Sequence, residues 1–226
     1  MRPTVSRSRR ASTRNLSALP PPARMKQICK ALALLDATYD ESLRVYTYDI
    51  YPRGELASMQ SHGGDMFSIW FDEHGAVIRG FELHSALGHV DRRPGHADLF
   101  DCLPEKLAPA AHGELASGGD DLTFVLWFDD GRWRTGRLRF GADEEDDPDG
   151  SETCLWMLAD DPVTFFDYIK EARPARDGHG ADVTAMFEMQ PLTAERITRL
   201  NPDVDVETLL ALAQKLGWPT RSTDRG

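Results

Sequence analysis

Asp65-Met66-Phe67-Ser68-Ile69-Trp70-Phe71-Asp72-Glu73-His74-Gly75 reads as a buried strand that runs into a turn. Both faces of its middle are largely apolar and rich in aromatic residues, the pattern of a central strand. Gly75 supplies the turn, and Ala76 to Leu83 returns with Val77, Phe81 and Leu83 on one face, so a β-hairpin is predicted. Upstream, Val45 to Tyr51 alternates and stops at Pro52-Arg53-Gly54, and Leu56 to Ser61 is a weaker strand. Downstream, Trp127-Phe128-Asp129 precedes Asp130-Gly131 much as Trp70-Phe71-Asp72 precedes Glu73-His74-Gly75. One short match is weak ground for an internal repeat, so two independent hairpins are expected. Past the second turn, Arg132, Arg134, Arg137 and Arg139 interleave with Trp133, Leu138 and Phe140. Trp133 is out of phase with the other two, and Gly136 is the expected bulge that restores one face. The arginines read as a cross-strand charge ladder facing neighbouring acids.

Helices flank this block of strands. Ile28, Ala31, Leu32 and Leu35 recur at helical spacing, which predicts an amphipathic helix over 25–38. In the last third, Asp161-Pro162 is an N-cap followed by proline at the first helical position, with Phe165, Phe166, Ile169 and Ala172 after it. A short helix is predicted over 183–189. Thr193 caps one that runs to Leu200, and Asp205 caps a last one that Gly217 and Pro219 stop. Segregated strands and helices imply an α+β fold: an antiparallel sheet built from hairpins, with an N-terminal helix and C-terminal helices packed on it.

Residues 1–24 hold six arginines and no acid, so removing their +6 from the formal charge of −11 leaves −17 on residues 25–226. This leader is rich in Ser, Thr and Pro and lacks an apolar face, so it is expected to be disordered, with Met25 as an alternative start. Residues 25–220 form a single domain and 221–226 a disordered tail. A body of such charge repels phosphates and favours basic partners; no nucleic acid is expected. No apolar run approaches the roughly 20 residues of a membrane helix, so no membrane association is expected. Cys29, Cys102 and Cys154 are scattered without a CxxC pair, which fits a reducing, cytoplasmic setting.

The segment 143–152 concentrates the acids. Asp143, Glu144, Glu145, Asp146, Asp147 and Asp149 are the expected contacts for a basic protein partner, steered by long-range charge. Carboxylates are also hard-cation ligands, with Asp147, Asp149 and Glu152 the weak candidates. The EF-hand register fails, because Gly150 at loop position 6 puts Trp156 where a bidentate Glu is required. His84, His89 and His96 lack the tight local pairing of a zinc site. No P-loop, GxGxxG or GxSxG occurs, and no cofactor is expected. Trp70, Trp127 and Trp156 lie in apolar segments and are read as core.

Ala57-Ser58-Met59-Gln60-Ser61-His62-Gly63-Gly64-Asp65, then Phe71 and Gly75-Ala76-Val77-Ile78-Arg79-Gly80-Phe81-Glu82, resemble a group of uncharacterised bacterial proteins. The resemblance extends over most of 25–219, including the Asp147-Pro148-Asp149-Gly150-Ser151-Glu152 turn, and implies no activity. By size and charge the chain also looks like a bacterial immunity protein. The expected function is therefore a non-catalytic, acidic, protein-binding module. The alternatives are a metal-dependent enzyme using the 143–152 carboxylates with His62 or Asp65 for proton transfer, and an orphan domain.

Overall fold

The computed structural model describes residues 10–39, 44–87, 97–113, 121–138, 147–172 and 177–221. Its centre is a six-stranded antiparallel sheet in the order β1-β2-β3-β4-β6-β7. The strands are β1 (Tyr46–Tyr51), β2 (Gly54–Gln60), β3 (Met66–Asp72), β4 (Gly75–Phe81), β6 (Phe124–Asp129) and β7 (Arg132–Thr135). A two-residue strand β5 (Ala97–Asp98) pairs with β8 (Arg137–Leu138) beside it. The helices are α1 (Pro22–Tyr39), α2 (Ala108–His112), α3 (Ser151–Leu155), α4 (Pro162–Ala172), α5 (Gly180–Phe187), α6 (Ala194–Leu200) and α7 (Val206–Lys215). The fold is α+β, and both predicted hairpins are present, β3–β4 and β6–β7.

Register and pleat sort the side chains onto two faces. Ile69, Ile78 and Leu126 lie side by side, as do Phe67, Gly80 and Phe124. They belong to the main core with α1 and the C-terminal helices. Gly80 is the bare position here: a Cβ on it would come within 1.9 Å of the Phe124 ring. On the opposite face Trp70, Val77 and Trp127 form a row across β3, β4 and β6. A smaller apolar cluster of Leu99, Leu107, Ala110, Ala111 and Leu122 covers the Val77–Trp127 end of that row.

The second half of helix α1, from Ala31, is buried all round and not on one face as its spacing suggests. Leu32, Ala33, Leu34 and Leu35 are all fully buried, because the helix touches the sheet on one side and α5 and α7 on the other. A helical stretch enclosed on all sides is apolar all round, and the polar Lys26, Gln27 and Lys30 fall in the less buried first half. The one buried acid of α1, Asp36, accepts the backbone N–H groups of Val45 and Tyr46 and so pins the start of β1. At the sheet end, Glu55 accepts from Lys26 at 2.6 Å and from the Tyr48 hydroxyl at 2.6 Å, with Lys30 at 3.0 Å. Burial raises the Glu55 carboxyl, but the bonds from Lys26, Tyr48 and Lys30 outweigh it and hold the pKa at about 2.

Three further expectations change. Residues 10–24 are not a disordered leader: Ala11 and Leu19 are buried, α1 starts at Pro22, and the Trp133 indole donates to the Pro20 carbonyl at 2.8 Å. Gly136 is not a bulge within one strand. The chain leaves the main sheet there, and a Cβ on Gly136 would lie 2.3 Å from the Asp98 carbonyl oxygen, so the approach of β8 to β5 requires glycine. Trp70 is only partly buried, unlike Trp127, whose indole N–H has no hydrogen-bond partner among the described residues. The expected helix caps hold: Asp161 accepts from Val163, Thr193 from Arg196, and Asp205 from Glu207 and Thr208. The expected cross-strand charge ladder is not formed: Arg134 reaches Asp130 in its own hairpin turn and Arg137 reaches Asp101 beyond the end of β5, while Arg139 and Phe140 lie outside the described residues. No helix among the described residues is long and apolar enough to cross a membrane.

Candidate functional site

Two places carry enough chemistry to be considered: the acidic turn, and a cleft on the second face of the sheet.

Of the acidic segment, Asp143, Glu144, Glu145 and Asp146 lie outside the described residues. Asp147, Asp149 and Glu152 are described, and each is committed to the fold. Asp147 accepts the Glu152 and Thr153 backbone N–H groups at 3.0 and 2.8 Å, which satisfies two otherwise orphaned donors at the start of α3. Asp149 is not a surface contact, as the sequence reading had it: it is 1% exposed. One of its oxygens accepts from the Ser151 N–H and the other from the Thr13 hydroxyl. Burial raises its carboxyl, against the lowering effect of those two bonds. Glu152 forms an ion pair with Arg10 at 2.7 Å.

The turn is thus built against the N-terminal segment. Ser151 Oγ accepts the Thr13 N–H at 2.9 Å, and Ala86 N–H donates to the Pro148 carbonyl at 2.9 Å. Gly150, at φ 71°, presses its backbone on Glu82; a Cβ there would fall 2.1 Å from the Glu82 Cβ. A polar hollow of about 320 Å³ lies between Arg10–Asn15 and the turn. The lone pairs of the three weak cation candidates are turned onto N–H, O–H and guanidinium donors. Among the described residues no group of three or more His, Cys, Asp or Glu side chains converges on an ion-sized point. Asp65, one of the proposed proton-transfer groups, accepts the Leu83 N–H at 3.2 Å, and His62 is exposed.

The cleft was not foreseen in the sequence. It encloses about 880 Å³ between the β1–β2 and β3–β4 turns and the segment 106–113. Leu56, Trp70, Pro109 and Ala110 supply its apolar wall, and Arg53, Asp72, Glu73, His74 and Lys106 its polar groups. Trp70 is held on three sides. Its ring lies over Gly54, where a Cβ would come within 2.6 Å of Cζ2; the Tyr51 ring centroid is 6.0 Å away; and Nε1–H donates to Asp72 at 3.0 Å. The other Asp72 oxygen accepts the His74 backbone N–H at 2.8 Å. Lys106 pairs with Asp129 at 2.8 Å.

Comparison with protein-family models, with curated proteins and with solved structures finds no match in any of the three.

Proposed function

We infer that the chain is a non-catalytic protein-binding module whose acidic surface meets a basic protein, in the manner of a bacterial immunity or antitoxin protein. The observation that carries this reading is the net charge of −11 on the chain, or −14 on residues 10–226 once the three arginines of residues 1–9 are set aside, an excess beyond what solubility asks of a domain this size. Such a field accelerates encounter with a positive partner and deters like-charged ones. Asp147 and Asp149 fix the base of the acidic segment rather than contacting the partner, so Asp143, Glu144, Glu145 and Asp146 carry the steering.

The test begins with capture of a binder on the immobilised chain, followed by measurement of its association rate over a salt series. A basic protein whose association slows about tenfold or more from low to physiological salt fits the reading. A binder of neutral surface whose rate ignores salt overturns it.

A further inference from the structure

We propose that the cleft between the β1–β2 turn, Trp70 and α2 is a binding site for a small organic cation, a primary ammonium carried on an apolar body. This goes beyond the docking of a basic protein and does not rest on it, since no residue of the acidic segment 143–152 lines the cleft.

The cleft encloses about 880 Å³, a volume within the range that holds small organic ligands. Pro52, Leu56, Pro109 and Ala110 give the apolar body of a ligand its wall. Trp70 is fixed before any ligand arrives. Its ring lies on the bare backbone of Gly54, the Tyr51 ring centroid is 6.0 Å away, and its one N–H donor is spent on Asp72. What the indole keeps for a ligand is π surface. The face of an aromatic ring is negative, and among side chains the indole attracts a cation best.

The charged lining sets the sign of the ligand. Lys106 is neutralised by Asp129 at 2.8 Å. The Asp72 carboxylate is met by two neutral donors, the Trp70 indole and the His74 backbone N–H, and by no cation among the described residues. Each of its oxygens keeps a second lone pair for a further donor. Glu73 has the His74 imidazole 3.8 Å away and no lysine or arginine on it among the described residues. Against these two acids stands Arg53, exposed in the turn between β1 and β2. The lining therefore keeps uncompensated negative charge beside a π surface, in a chain whose net charge of −11 draws cations towards it. An ammonium answers both features: its charge lies against the indole face, and its three N–H groups find acceptors on Asp72 and Glu73. An anion would meet the two carboxylates and the ring face with like charge.

The experiment is calorimetric titration of the full chain, at physiological salt, with three probes of one shape: 2-naphthylmethylammonium, 2-naphthylmethanol and 2-naphthoate. Saturable single-site binding of the ammonium is expected, about tenfold or more tighter than the neutral alcohol, with naphthoate weaker still. Asp72→Asn combined with Glu73→Gln should weaken the ammonium about tenfold and leave the alcohol within about twofold. Asp203→Asn combined with Glu207→Gln removes as much charge at exposed positions in the C-terminal helical region. That pair should move the ammonium by less than about twofold, because salt screens charges beyond a Debye length. Naphthoate binding as tight as the ammonium overturns the proposal. So does a loss in the second pair equal to that in the first, which would make the attraction a property of the whole acidic surface, or failure of the ammonium to saturate at millimolar concentration. Should the Asp72 substitution upset the fold, Glu73→Gln alone decides, with a weakening of about threefold expected for the ammonium and none for the alcohol.

Discussion

The Thr13 hydroxyl donates to the buried carboxylate of Asp149, joining residues 136 apart in the chain. One residue comes from a segment with no apolar periodicity, the other from a run of acids, and each supplies what the other lacks. A carboxylate taken out of water is costly unless donors surround it. Thr13 and Ser151 provide those donors.

Thr13→Val should therefore destabilise the protein by about 1–3 kcal/mol at neutral pH, since it leaves a buried acceptor short of a partner. The sign with pH is fixed. Burial already raises the Asp149 carboxyl, and loss of a donor to its charged form raises it further. The penalty of Thr13→Val is then full where Asp149 is ionised and shrinks as pH falls through its raised pKa. Denaturant midpoints at several pH values check this; a penalty constant with pH would deny the bond its charged acceptor.

Removal of residues 1–24 tests the same packing on a larger scale. It exposes the surface under Ala11 and Leu19 and strips the Trp133 indole of its Pro20 acceptor. It also takes away Arg24, which bonds Asp160 and the Phe187 carbonyl. The sum of such losses lowers Tm by about 5–10 °C for a chain of this length. A truncated chain that melts with the full one would make the segment dispensable.

Glu55 holds α1 to β1 and β2, and its charge is worth most at neutral pH. With a folded pKa of about 2 against an ordinary 4.5, its contribution is full above 4.5 and is lost as pH falls towards 2. The shift corresponds to about 3 kcal/mol, reduced to about 2 kcal/mol by partial exposure. Glu55→Gln should cost that much at pH 7 and almost nothing near pH 2, read by urea unfolding. An equal cost at both pH values would locate the effect in packing instead.

On the proposed reading the acidic segment divides into structural and steering carboxylates, and substitution separates them. Asp147→Ala should lower stability by about 1 kcal/mol through loss of the α3 cap. Joint replacement of Asp143 and Asp146 by Asn and of Glu144 and Glu145 by Gln should leave stability nearly unchanged and slow association with a basic partner at low salt. Thermal melts and stopped-flow mixing give the two readouts; an unslowed association would remove these four residues from the interface.

Much of the architecture is written locally. Apolar, aromatic-rich strands running into a glycine turn mark Met66–Phe81 and Phe124–Thr135, and Asp161, Thr193 and Asp205 announce their helices, because cap and turn bonds span only a few residues. The cleft was not legible, since Arg53, Trp70 and the pair Lys106 and Ala110 come from three separated segments. Trp70 and Trp127 make the point most directly. Each sits in Trp-Phe-Asp at the end of a strand, on the same face of the same sheet, with only Val77 between them. Trp127 is buried in the cluster that Leu107, Ala110 and Ala111 complete, while Trp70 walls an open cleft. Identical local sequence set both rings on that face. Which ring is covered depends on where a segment from elsewhere in the chain comes to rest, because burial is a property of what lies above a side chain and not of its neighbours in sequence.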